Sequence, residues 1–400
     1  MTKRTKGLLL FFGGLLLAGT LYLFLSSQTR FLHFCDHFFI EEMESNALTM
    51  HYTIENPQNY GIKDINLSLG TYDLNTRRQK RWLFGKYLTL KTIFRSQLSS
   101  DLQRLYDSVK YCLHTEMDGT KYTLLEEPLV PSVGIQSQLP ILLAEYTLNN
   151  EADIVNYLTL LKCIPKYFDS ILALEEAKIE EGLFMDEASA EELITYCKEF
   201  TRKPETHFLS ETFQDRISSL TLDTQKKNKY LQEHSSILNK DVFPAYQKLQ
   251  AFLEENKLEG QISDGLFYYA DGTEYYKWLL RSEVGVTYDF EEIETMLNDD
   301  LKKNAGIIAK LVKDNSKLLA ERQTLSLDTS NPSGLTLYLA KRTSSDFPEI
   351  PEVDLKIRNV PSSMEPHLSP AFYLVPPIDS WEENVVYLNH GCLNEGISFF

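Results

Sequence analysis

Residues 151–182 read "EADIVNYLTLLKCIPKYFDSILALEEAKIEEG", with apolar side chains on nearly every turn, and they follow directly on Asn150. An asparagine side chain accepts hydrogen bonds from the first free N–H groups of a helix, so Asn150 predicts a helix start. Pro165 has no N–H to donate, and is expected to kink this helix or to begin a second one.

The helical pattern extends outward, from about Thr92 to Arg322. Leu102, Leu105, Tyr106, Val109, Cys112 and Leu113 recur at spacings of three and four after the start signal Ser100-Asp101. Ser189-Ala190-Glu191-Glu192 reads as a capping box opening a helix that carries Leu193, Ile194 and Cys197. Residues 289–322 form another long amphipathic pattern, whose stripe is Ile293, Leu297, Leu301, Ile307, Ile308 and Leu311.

Composition then changes. Eight of the 15 prolines fall between Pro332 and Pro377, among short extended pieces such as "VDLKIRNV" (353–360), "AFYLVPP" (371–377) and "NVVYLN" (384–389). In the first of these Val353, Leu355 and Ile357 alternate as the apolar face. The pattern predicts a mainly α chain with a small α/β, short-strand region at its C-terminal end. A region of that size holds little core alone, and is expected to lean on the helical part or on further chain. The divisions expected are residues 1–28, 29–330 and 331–400.

At the other end, Lys3, Arg4 and Lys6 precede an uncharged run over residues 7–25. As a helix that run reaches about 28 Å, close to the apolar thickness of a bilayer. It predicts a single-pass anchor with the remainder as an extracytoplasmic ectodomain. The alternative is a secretory signal cleaved to release the protein, although Phe24 makes a poor cleavage site. "LLLAGT" is like a lipoprotein box, but Thr20 stands where the lipidated cysteine must be.

With 40 Lys+Arg against 57 Asp+Glu the formal net charge is −17. Such a surface repels phosphate backbones, so no nucleic-acid partner is expected. Hydrophobic residues at 43% and charged residues at 24% describe a folded globular chain. Cys35, Cys112, Cys163, Cys197 and Cys392 are scattered with no Cys-x-x-Cys pair, which excludes a zinc ribbon. Buried free thiols and one disulfide are both compatible with that spacing.

A search for chemistry finds no constellation. His390 and Glu395 have the wrong spacing for two ligands on one helix face, and His37 with Glu41, near Asp36 and Glu42, reads equally as a solvated helical face. Glu382-Glu383 and Asp299-Asp300 are adjacent and diverge on a helix. No Gly-x-Ser-x-Gly, Walker or Gly-x-Gly-x-x-Gly motif occurs. The aromatic clusters "LFYYADGTEYYKWLL" (266–280) and "FYLVPP" (372–377) are read either as core or as the lining of a peptide groove.

Four ordered stretches, Phe38–Ile62, Gly134–Met185, Asp271–Ile293 and Leu368–Asn389, together resemble the bacterial domain of unknown function 885. In that family the segment like "NVVYLNHGCLNEGISFF" (384–400) is followed by a helix bearing His-Glu-x-x-Pro-Gly-His. The resemblance thus implies a zincin-like zinc metallopeptidase organisation. No catalytic, cofactor-binding or metal residue is assigned in this chain, and zinc is expected only in full-length relatives. The apolar ending "ISFF" looks like the first turn of a metal helix interrupted before its ligands. The expectation is a truncated, inactive metallopeptidase-like protein that meets the membrane through its N-terminal helix. The alternatives are a non-enzymatic envelope protein that binds peptides or a partner, and complementation by a separate chain.

Overall fold

The computed structural model describes residues 27–63, 65–260, 265–314, 332–343, 353–360 and 369–391, together with Gly14, Phe347 and Glu365. Except for Gly14, the apolar run 7–25 lies outside these residues, as does the ending 392–400. No helix among the described residues is long and apolar enough to cross a membrane.

In chain order the first helices are α1 (Ser27–Ser45), α2 (Ala47–Thr53), α3 (Thr76–Lys91), α4 (Ser100–Gly119), α5 (Ile135–Ala144) and α6 (Glu151–Glu180). They are followed by α7 (Glu187–Thr201), α8 (Phe208–Ser219), α9 (Thr224–Ile237), α10 (Phe243–Asn256), α11 (Gly272–Ser282), α12 (Phe290–Asp314) and α13 (Pro332–Thr343). Three strands close the described chain: β1 (Asp354–Asn359), β2 (Ala371–Leu374) and β3 (Glu383–Leu388).

Helix α6 is the axis of the fold. Asn150 Oδ1 accepts from the N–H groups of Ala152 (2.8 Å) and Asp153 (3.2 Å), and Asp153 Oδ2 accepts in return from Asn150 N (3.1 Å). The expected start is therefore a reciprocal cap. The far end closes on Gly182 at φ +69°, where Gly182 N donates to Ile179 O and Leu183 N to Lys178 O. These paired bonds satisfy the last carbonyls of the helix, and only glycine adopts that φ without strain.

Pro165 does not begin a second helix, because α6 runs through it for 30 residues. The bond lost at the proline costs about 3 kcal/mol. It is offset by burial of a broad face, since Leu160, Leu161, Ile164, Phe168 and Ile171 are each at most 2% exposed. The opposite side, with Lys162, Lys166 and Asp169, stays in water, so α6 is amphipathic with a wide apolar face.

Helices α7 and α10 pack on each other, and α9 and α10 pack on α6 to complete one core. A second core joins α1, α3 and α4 through Phe31, Leu90, Tyr106 and Leu113. Two expectations fail here at the level of single residues. Asp186, not Ser189, caps α7, accepting from Ser189 N (3.1 Å) and also from its hydroxyl (2.8 Å), so the helix starts earlier while Leu193, Ile194 and Cys197 stay buried. On α4 the buried side is Tyr106 and Leu113, whereas Leu105 and Cys112 face water. Helix α11 crosses α4 at Gly119, where a Cβ would lie 2.3 Å from the Trp278 ring, and Trp278 Nε1 donates to Thr115 O (2.7 Å).

The strands form one mixed sheet in the order β1-β3-β2, with β1 parallel and β2 antiparallel to β3. The sheet leans on the helices, as expected of so small a unit. Val360 and Tyr387, each 4% exposed, belong to the core around α6, with Phe372, Leu374 and Val385 packed against it. The loop after β2 is stitched to the end of α2: Ile378 N donates to Thr53 O (2.9 Å), and Asp379 accepts from Glu55 N (2.7 Å) and Asn56 N (3.0 Å).

Candidate functional site

The register of the sheet decides what lines its inner face. Arg358 pairs across from Tyr387, and Phe372 pairs with Tyr387 on its other side, so these three share one face. That face looks toward α8 and the end of α5. The apolar alternation of Leu355 and Ile357 therefore points away from α8, and it is Lys356 and Arg358 that turn inward. Arg358 can do so because Glu145, the residue after α5, forms an ion pair with it.

Two adjoining hollows of about 470 Å³ each lie between this face and the helices, and they share Glu145, Arg216, Ser219 and Arg358. The first is walled by Ile141 and Ala144 of α5, Phe208 and Thr212 of α8, and Phe372 and Tyr387 of the sheet. The second is more polar, bounded by His51, Tyr52 and Glu55 on one side and by Leu374–Pro377, Ser380 and Glu383 on the other. Volumes of this size suit a small molecule or a few residues of a peptide.

Arg216 divides the two. Its Nε donates to Thr212 O (3.0 Å), Nη1 donates to Tyr146 O, and the guanidinium lies 4.9 Å from the Tyr157 ring centroid. Beneath it Tyr157 Oη meets His234 Nε2 (3.2 Å), while His51 stacks on Tyr146 (3.7 Å between centroids) and its Nε2 accepts from Thr147 N (3.0 Å). Neither histidine is free to serve as a base: His51 has its ring nitrogen engaged by a backbone amide, and His234 is 1% exposed. Ser219 is tied as well, its hydroxyl donating to Arg216 O (2.7 Å). The cleft thus has the parts for holding a ligand and, among the described residues, no assembled nucleophile and base.

Burial pushes three histidines down, His51 to about 4, His207 to about 4 and His234 to about 3, with the Arg216 charge adding to the shift at His51 and His234. These folded values lie below the ordinary value near 6.5, so the unfolded chain takes up protons that the folded one refuses. The stability contributed by these groups is present above pH 6.5 and is lost as pH falls toward about 4. Melting temperature is expected to drop steadily from pH 6.5 to 4.5, with a slope approaching about 1.4 kcal/mol per pH unit per histidine. His234→Gln should flatten the histidine part of that slope by up to about 1.4 kcal/mol per pH unit; an unchanged slope would contradict the assignment.

The residues singled out by sequence fall mostly elsewhere. His37 Nδ1 lies 3.7 Å from Glu41 on the surface of α1, and Glu41 also pairs with Lys86. His390 Nε2 contacts Asn359 Oδ1 (2.9 Å), and Glu395 and Cys392 lie outside the described residues. Glu383 pairs with Lys356, and Asp299 and Asp300 stand on exposed α12. Cys35, Cys112, Cys163 and Cys197 are free thiols, of which only Cys197 is buried. Of the aromatic clusters, Tyr275 and Trp278 pack on Tyr122 while Phe267 and Tyr268 are exposed, so the first cluster does not line the cleft. The second does, through Phe372, Leu374, Val375, Pro376 and Pro377.

Among the described residues no group of three or more His, Cys, Asp and Glu side chains is placed to hold a metal ion. They do not fit the zinc site that the family resemblance implies. Glu145 and Arg216 escaped sequence reading because they meet residues distant in the chain, Arg358 for Glu145, and Tyr146 and Tyr157 for Arg216. Arg216 left one trace, a cation standing beside the apolar stripe Leu209, Phe213 and Ile217.

The class defined by these features is a helical body carrying a small mixed sheet, with a ligand-sized cleft between the two. Residues 60–392 match the family described as bacterial protein of unknown function (DUF885), and the chain belongs to that family. A crystal structure described as "the putative lipoprotein from Colwellia psychrerythraea" has the same fold, with a TM-score of 0.73 at 16% identity, over 91% of this chain and 67% of that one. No curated protein matches the chain.

Proposed function

We propose that the cleft between the sheet and α8 binds an extended peptide. The observation that carries this is the pair of adjoining hollows sharing Glu145, Arg216, Ser219 and Arg358, one with apolar walls and one polar. A peptide in an extended form presents an apolar side chain and a polar backbone side by side, which matches that division. Among the described residues β1 is an edge strand with no strand on its outer side, and an edge strand is where an extended peptide adds to a sheet.

The finer form of the reading is that the cleft is the substrate-holding part of a metallopeptidase-like protein. Support for it is the sequence resemblance alone, and the zinc ligands would come from outside the described residues. On this reading the described part binds peptide without cleaving it. An extracytoplasmic position goes with the proposal, anchored in the membrane through residues 7–25 or secreted after their removal. It is supported by the sequence of that run and by the description of the related fold as a lipoprotein.

The test is fluorescence titration of the protein with a dansylated alanine hexapeptide carrying one phenylalanine, with the peptide afterwards checked by mass spectrometry. Saturable binding with the peptide intact is expected. Thr212→Trp, which fills the apolar hollow from a half-buried position, should weaken binding at least tenfold (about 1.4 kcal/mol) and leave the melting temperature close to wild type. Absence of saturable binding, or binding indifferent to Thr212→Trp, would overturn the reading.

A further inference from the structure

Helix α3 is a basic stretch in an acidic chain. Residues 76–97 hold seven Lys and Arg and no Asp or Glu, while the whole chain carries a formal net charge of −17. Leu83 and Leu90, 5% and 0% exposed, turn inward to the core shared with α1 and α4. The side turned away from them carries Arg77, Arg81, Phe84, Leu88 and Lys91, at spacings of four, three, four and three, within an arc of about 80° that Lys80 borders. All of these are exposed, Phe84 and Leu88 each by 50%. Arg78 is engaged by Asp73 and Lys86 by Glu41, whereas Arg77, Lys80 and Arg81 enter no ion pair among the described residues.

Charge and place identify what covers this face. Two large apolar side chains stand between cations on one stripe, which is how a helix that lies in a membrane interface is built. Lipid phosphates meet the cations, and the apolar layer just beneath takes the Phe and Leu side chains; a protein surface would need an acidic rim fitted around an apolar pocket. The position in the fold agrees. A single residue separates the apolar run 7–25, read from the sequence as a membrane anchor, from Ser27, whose hydroxyl donates to Gln97 Oε1 (2.6 Å), and Arg30 Nη1 donates to Thr92 O (3.2 Å). The run therefore joins the body beside the C-terminal end of α3. Phe94 is 60% exposed at that corner, with the Arg30 guanidinium 6.0 Å from its ring centroid. Helix α3 is about 24 Å long, so all of its cations stand within that reach of the corner.

We propose that the outer face of α3 docks on an anionic lipid surface, with Phe84 and Leu88 entering the headgroup layer and Arg77, Lys80, Arg81 and Lys91 meeting lipid phosphates. This does not depend on the peptide-binding reading, and the charge and exposure that carry it are the same whether residues 7–25 stay attached or are removed.

The experiment is hydrogen–deuterium exchange of the full chain on vesicles of phosphatidylcholine alone and on vesicles containing about 30% phosphatidylglycerol. Comparing the two removes whatever the run 7–25 contributes, because an apolar segment enters both. Amide exchange over 76–97 is expected to be at least about fivefold slower on the anionic vesicles, with the difference shrinking as salt is raised and with α7 exchanging alike on both. Arg77→Glu with Arg81→Glu should abolish the difference, and Phe84→Ser with Leu88→Ser should reduce it, each with a melting temperature close to wild type because these positions are exposed. Equal exchange over 76–97 on the two vesicles would overturn the proposal and leave the face to an acidic protein partner. A slowing that survives both double substitutions, or one found only in another segment, would overturn it as well.

Discussion

Lys178→Met is expected to destabilise the protein by about 3–5 kcal/mol at neutral pH. Lys178 is 3% exposed and Glu175 0%, and they meet inside the last turns of α6 at 3.4 Å, with Lys178 Nζ also donating to Glu126 O (3.1 Å). Removing the cation leaves a carboxylate buried with no partner of opposite charge, a far larger loss than the net worth of the pair. Burial already holds the Glu175 carboxyl above its usual range, with Lys178 opposing that shift. A group whose folded pKa is raised contributes most at low pH, and that contribution is lost as pH rises through the folded value. The deficit of Lys178→Met should therefore be small near pH 5 and large at pH 8, read as the difference in urea midpoints from wild type. The histidine titrations are common to both proteins and cancel in this difference. Adding Glu175→Leu should recover most of the loss, because an apolar pair needs no counter-ion; failure to recover would place the damage in packing instead of charge.

Tyr387→Ala is expected to release the sheet from the helices. Tyr387 is 4% exposed, stacks on Phe372 at 4.8 Å with the rings nearly parallel (7°), and joins the core around α6. Truncating a buried aromatic costs about 3–5 kcal/mol. A three-stranded sheet has little core of its own, so the loss should fall locally. Amide exchange over 353–360 and 369–391 should quicken by about a hundredfold or more while α6 stays protected. Peptide binding should vanish with it, since the sheet forms one wall of the cleft. Equal acceleration in α6 would mean that sheet and helices unfold as one unit.

How much of this could be read from the residues follows the range of the interactions involved. Asn150 and the apolar run after it specify α6 locally, and the three extended pieces after Pro332 appear as β1, β2 and β3 because alternation and proline placement are local signals too. Pro165 left a kink and a second helix both open, and the second is ruled out by tertiary burial that carries α6 through it, which is not a property of neighbouring residues. Ser189 lost the capping position to Asp186 because two cap-forming residues stood three apart, and Asp186, coming first, bonds the N–H of Ser189 and draws it into the first turn. The inward turn of Arg358 was hidden for a further reason: in isolation Leu355 and Ile357 look like the buried face of β1, and only the Glu145 carboxylate across the cleft makes the opposite face favourable. The cleft was legible in part, in "AFYLVPP", whose residues 372 and 374–377 line it. The stripe of α12 was legible in full, and the structure adds that nothing among the described residues covers it.

The central claim, that the cleft holds an extended peptide, is tested most directly by photo-crosslinking. The hexapeptide, with its phenylalanine replaced by benzoylphenylalanine, is irradiated with the protein and the attachment points are mapped by mass spectrometry. The account predicts adducts on α8 between Phe208 and Ser219 and on residues 372–377, competed away by unlabelled peptide and absent in Thr212→Trp. Adducts confined to α12, or scattered over the surface and insensitive to competitor, would contradict it.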